Sequence, residues 1–121
     1  MDITELYADR EELIQELDKT IKYKKKVGRD LARAEYDYKK ARTMTMARMM
    51  IVGYETEDGK TKPIAATAVS DLAQGTEEVA EFRVKRDLRK ADAEVTQERI
   101  YQLKLQINIL TADIENVRRM V

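Results

Sequence analysis

The stretch IYQLKLQINILTADIENVRRMV, Ile100–Val121, decides the fold. Its residues Ile100, Leu103, Ile107, Leu110, Ile114, Val117 and Val121 alternate at spacings of three and four. That is a coiled-coil seam, with isoleucine or valine at a and leucine or valine at d. No other stretch is so regular. The seam runs backwards through Ala93 to Phe82 and Val79, with Arg86, Arg89 and Thr96 as polar interruptions.

The composition agrees with long helices. Of 121 residues, 38% are charged and 6% aromatic, with four Gly and one Pro to punctuate the chain. That balance suits helices better than strands joined by turns. The fold class expected is all-α: a long antiparallel helical hairpin, coiled-coil-like, in a single elongated domain.

Cysteine and histidine are both absent. Thiol nucleophiles, disulfides and nearly all zinc sites are thereby excluded, and so is histidine acid–base catalysis. Glu11-Glu12 and Glu77-Glu78 stand at helix starts, where acids complement the dipole, and make no catalytic pair. There is no glycine-rich phosphate loop or EF-hand loop. The acidic MDITELYADREEL start lacks a signal-peptide pattern, and no apolar run reaches membrane-span length. The expectation is a cytoplasmic, non-enzymatic protein with no cofactor, no metal, no membrane and no small-molecule substrate.

Taken in order, the first helix starts near Asp2 or Thr4, and Asp2 with Glu5 three residues on resembles a capping box. It covers residues 3–52, about 70 Å at 1.5 Å per residue. Its seam passes through Ile3, Leu6, Leu13, Leu17, Val27, Leu31, Ala34, Tyr38 and Ala41, broken by Arg10, Thr20, Lys24 and Arg48. Gly28 lies inside it, offset by the i,i+4 pairs Asp18–Lys22 and Glu35–Lys39. A tip loop follows over residues 53–63, where Asp58-Gly59 signals a type I′ turn in either a small two-stranded ribbon or a disordered loop. A short helix is expected over 64–74, with Gly75 as its C′ residue and Thr76 capping a last helix over 77–120.

The last helix carries a second apolar stripe: Val84, Leu88, Ala91, Val95, Leu105, Ile109 and Ala112. These are c and f positions, nearly opposite the seam, and a helix apolar on two faces wants two neighbours. One hairpin supplies one. The other would be a second copy or the short helix folding back, unless the residues are simply exposed. Ile100, Leu103, Ile107, Leu110, Ile114 and Val117, with Leu105 and Ile109, are therefore the candidate hairpin and oligomer interface of a homo-oligomer.

Charge is neutral overall but laid out in blocks, net −5 over residues 1–20 and net +7 over 21–48. Lys22, Lys26, Arg29, Arg33 and Lys40 share one face of the first helix, with Tyr36 among them. Lys39, Lys40 and Arg42 would lie beside Arg83, Lys85, Arg86, Arg89 and Lys90 in the hairpin. A stripe of long cations with an interleaved aromatic suits a phosphate backbone and a splayed base. The same face could instead be solvated and pair with acidic blocks of a neighbouring copy. Met44, Met46, Met49 and Met50 make the first helix apolar all round at its end. They form either a partner surface or packing against Ile64, Ala68, Val69 and Leu72.

The runs VSDLAQGTEEVAEFRVKRD, Val69–Asp87, and IYQLKLQINIL, Ile100–Leu110, resemble a group of small helical proteins encoded by tailed phages and prophages of Gram-positive bacteria. Such proteins are often encoded near replication and recombination functions. GYETEDGKTKP, Gly53–Pro63, looks like an addition to the shorter members. The resemblance implies a phage accessory protein in the host cytoplasm. With the residues it gives the expectation of a self-associating adaptor in DNA replication or recombination, meeting single-stranded DNA or a DNA-processing protein. The alternatives are an inhibitor of a host protein and a structural coiled-coil component.

Overall fold

The computed structural model describes residues 2–120. Five elements follow in order: α1 Ile3–Val52, β1 Tyr54–Glu55, β2 Thr61–Lys62, α2 Val69–Gln74 and α3 Glu77–Arg119. The two long helices pack against each other and helices make up most of the described residues, as the seam requires of an all-α helical hairpin. Two compact units make up the chain, one from Met1–Arg29 with Ala91–Val121 and one from Asp30–Lys90.

In the first unit the seam is buried. Leu6, Val27, Ile100, Leu103 and Ile114 are almost wholly covered, and Ile107, Leu110 and Val117 are half-buried. Val121 lies outside the described residues. Polar side chains in and beside the seam link the two helices, while the seam hydroxyls of Thr20 and Thr96 donate to carbonyls of their own helices. The Arg10 guanidinium donates to Thr111 Oγ1 at 3.4 Å, Lys24 Nζ donates to Gln97 Oε1, and Arg99 pairs with Glu16. Partner numbers fall on α3 as they rise on α1, so the two helices run antiparallel here. Asp2 caps α1, its carboxylate accepting the Thr4 N–H at 3.0 Å. This satisfies one of the unpaired donors of the first turn.

In the second unit Tyr38, Ala41 and Val79 form a buried cluster against which Phe82 packs. Ala34, Thr45, Met49, Val69 and Ala73 are also buried. Arg33 and Asp37 form an i,i+4 ion pair on α1, at 3.5 Å, while among the described residues no such pair joins Asp18 to Lys22 or Glu35 to Lys39.

The connection differs in detail from the sequence expectation. The helix expected over 64–74 begins only at Val69, because Ala65–Ala68 closes a turn instead, with Ala68 N–H donating to Ala65 O at 2.9 Å. No side chain there caps a helix start. Gly75 directly follows the last residue of the short helix, as expected, and does so with right-handed angles (φ −81°). Thr76 does not cap α3 with its hydroxyl, which donates backwards to Ala73 O at 2.8 Å. Gly53 is the left-handed residue that ends a helix: its φ is +87° and its N–H donates to Met49 O at 2.9 Å.

β1 and β2 pair antiparallel, Glu55 opposite Thr61. Their turn is not type I′, since that needs positive φ at two central residues and only Gly59 (φ +78°) has it. Gly59 N–H donates to Thr56 O, and Thr56 N–H to Lys60 O, at 2.9 and 2.8 Å. This is a Thr56–Gly59 turn with the glycine as a left-handed bulge residue. Asp58 holds it: its carboxylate accepts the Thr56 hydroxyl and the Lys60 N–H.

Two glycine substitutions should move stability in opposite directions in thermal denaturation followed by circular dichroism. Nothing lies within 4 Å of a Cβ added at Gly28, so Gly28→Ala should stabilise the protein by about 0.5–1 kcal/mol. At Gly53 the added Cβ would sit 2.5 Å from the Lys62 carbonyl oxygen, and Gly53→Ala should cost at least about 1–2 kcal/mol from the left-handed φ alone. A second prediction concerns pH. The Thr56 hydroxyl first, and then the Lys60 N–H, hold the Asp58 carboxyl below its ordinary 3.8. Its contribution to the turn is therefore fully present above that value and is lost as pH falls through the lower folded value. Protection of the Lys60 amide, corrected for intrinsic exchange, should drop on acidification, and Asp58→Asn should abolish that pH dependence.

Candidate interaction surfaces

Two kinds of side chain stand out against this frame, long cations and apolar residues that no other element covers. In the first unit Lys22, Lys26 and Arg29 are exposed on one face of α1, as the three-and-four spacing dictates. In the second unit Arg33, Tyr36 and Lys40 are exposed on α1. The Arg33 guanidinium lies 5.9 Å from the Tyr36 ring centroid, a cation–π distance.

The cations of α3 divide. Lys85, Arg89 and Lys90 are exposed, whereas Arg83 and Arg86 are half-buried. Arg86 lies over the Tyr38 ring at 4.4 Å and donates twice to Asp87 Oδ1, at 3.1 and 3.0 Å. Its guanidinium thus closes the edge of the Tyr38 cluster. Arg42 also leaves the expected cationic group. It is half-buried and turns to α2, donating to Ser70 Oγ at 2.8 Å, while its Nε is buried without a partner.

The residues expected to hold both hairpin and oligomer separate into two sets. Ile100, Leu103, Ile107, Leu110, Ile114 and Val117 are used inside the first unit. Leu105 and Ile109 remain 61% and 54% exposed, as do Val95 and Tyr101 at 67% and 63%. In the second unit Val84 and Leu88 are exposed too, so α2 does not fold over them. Tyr101, and the polar pair Glu98 and Gln102 between the apolar turns, form part of the same outward region. Counting the c and f positions through residues 98 and 102 would have found that pair.

The methionines divide as well. Met49 is buried and Met46 half-buried, whereas Met44 and Met50 are about two-thirds exposed beside exposed Ile51 and Val52.

Among the described residues no group of three or more His, Cys, Asp or Glu side chains could hold a metal ion. No described helix is long and apolar enough to cross a membrane. No family model, curated protein or solved structure matches this chain.

Proposed function

We propose that this chain is a non-enzymatic adaptor that self-associates through the outward face of α3. The single observation that carries the reading is the exposure of Val95, Leu105 and Ile109 at heptad spacing, after the opposite face has been buried against α1. Scattered exposed apolar residues are ordinary, but a regular row on a charged helix is a binding face. The resemblance of Val69–Asp87 and Ile100–Leu110 to phage-encoded proteins supports a role as a phage accessory protein in DNA replication or recombination, in the host cytoplasm. The partner would be single-stranded DNA or a DNA-processing protein. Exposed Lys22, Lys26, Arg29, Arg33, Lys40, Lys85 and Lys90 provide the cations such a partner needs.

A second reading has its own observation. Met44, Met50, Ile51 and Val52 are all at least 60% exposed at the end of α1, an adaptable apolar surface suited to blocking a host protein. That reading requires a stoichiometric complex with the host protein, which the adaptor reading does not. A structural coiled-coil role within a larger assembly would need the α3 face alone.

Two measurements test the adaptor. In light scattering the protein should have the mass of a dimer or larger, and Leu105→Lys with Ile109→Lys should reduce it towards the monomer; a monomeric wild type ends the reading. In fluorescence anisotropy with labelled single-stranded oligonucleotides, Lys26→Glu with Arg33→Glu should weaken binding tenfold or more while the helical signal is retained. It should also flatten the salt dependence, by roughly 0.7 in log–log slope for each phosphate that is no longer neutralised. Unchanged binding would remove these cations from the function.

A further inference from the structure

The outward face of α3 in the first unit has two apolar turns, Ala91 with Val95 and Leu105 with Ile109, separated by Glu98 and Gln102. All six residues are exposed. They alternate between c and f positions, so this face is itself a short heptad seam with a polar centre. Resting on the self-association proposed above, we propose that it pairs antiparallel with the same face of a second copy, in the register that sets Glu98 opposite the partner's Gln102.

In an antiparallel helix pair each layer joins a residue from one seam position to a residue from the other. This register sets Ala91 opposite the partner's Ile109 and Val95 opposite the partner's Leu105. Smaller side chains thus meet larger ones, which lets layers interdigitate. At the centre the Glu98 carboxylate accepts from the Gln102 amide of the partner subunit, so each polar group of the seam meets a complementary one. The two-fold axis repeats every layer. It also brings Tyr101 against the partner's Tyr101 on one flank. Arg99 lies near the partner's Arg99 on the other, where Glu16 of its own chain already holds each guanidinium.

The other registers set like charges together or cover a polar group with an apolar one. Parallel pairing sets Glu98 against the partner's Glu98, two like charges in one layer. Moving the antiparallel register by a heptad one way sets Val95 opposite the partner's Glu98; the other way sets Gln102 opposite the partner's Leu105. Either move covers a polar group without a partner, which costs more than the apolar burial returns. A single polar layer selecting orientation and register is a known device of helical seams.

The test uses distance. The chain has no cysteine, so Asn108→Cys and Glu115→Cys, at exposed positions outside the seam, each accept one nitroxide label per copy. At 1.5 Å per residue the proposed register offsets the two labels along the axis by about 24 Å at position 108 and about 45 Å at 115. Pulsed dipolar spectroscopy should therefore read a distance about 20 Å longer for Glu115→Cys than for Asn108→Cys. Equal short distances would establish parallel pairing and overturn the proposal. A dimeric mass with any other pair of distances would overturn the register while leaving self-association standing. A monomeric mass with no intermolecular coupling would remove both.

Discussion

Burial of the α3 seam against α1 is the interaction on which the structure rests. Leu6, Leu103 and Ile114 are 1%, 0% and 2% exposed, and each fully covered aliphatic side chain contributes about 1.5–3 kcal/mol. The polar contacts beside them contribute differently. Arg99 and Glu16 are each more than a third exposed, and solvent screening leaves such a pair worth little in stability. Their value is geometric. Arg10 reaches Thr111, and Lys24 reaches Gln97, so a slide of one helix along the other would separate these partners. Apolar burial holds the helices together, and the polar positions of the seam set which turn meets which.

That division explains why a helix can keep a second apolar face in reserve. Once Ile100, Leu103 and Ile114 are buried, the first unit has its core, and Val95, Leu105 and Ile109 add nothing to it. Leu105 and Ile109 face away from the buried seam, and Val95 borders a shallow groove with Lys19 and Tyr23 of α1 that leaves it exposed. Apolar residues there lower solubility unless something covers them, which is why their regular spacing carries more weight than their number.

The cations show how tertiary packing redistributes a charge block. Arg86 and Arg42 belong to the basic stretches of the sequence, yet one stacks on Tyr38 and the other reaches Ser70. Arginine is suited to such places, because its planar guanidinium covers a ring or bridges to a hydroxyl while remaining partly hydrated. Most of the lysines of those stretches stay at the surface. The connection between α1 and α3 follows the same logic of local chemistry overruled by closure. Gly53 and Gly59 take the left-handed positions, and Asp58 serves by accepting hydrogen bonds with its carboxylate.

By itself the sequence determined the two long helices, the seam on each, a first-helix start near Asp2 or Thr4 and the apolar c and f face of α3. Each of these follows from heptad spacing or from one side chain next to its own backbone. Only the tertiary structure decided that Arg10, Lys24 and Arg99 are cross-helix links, that Met49 is covered while Met50 is not, and that α2 shrinks to Val69–Gln74 and leaves Val84 and Leu88 exposed. The physical reason is that periodicity tells which side of a helix a residue occupies. What stands opposite it depends on where the chain turns and how the two helices are offset, and those are settled by interactions between residues up to 101 positions apart.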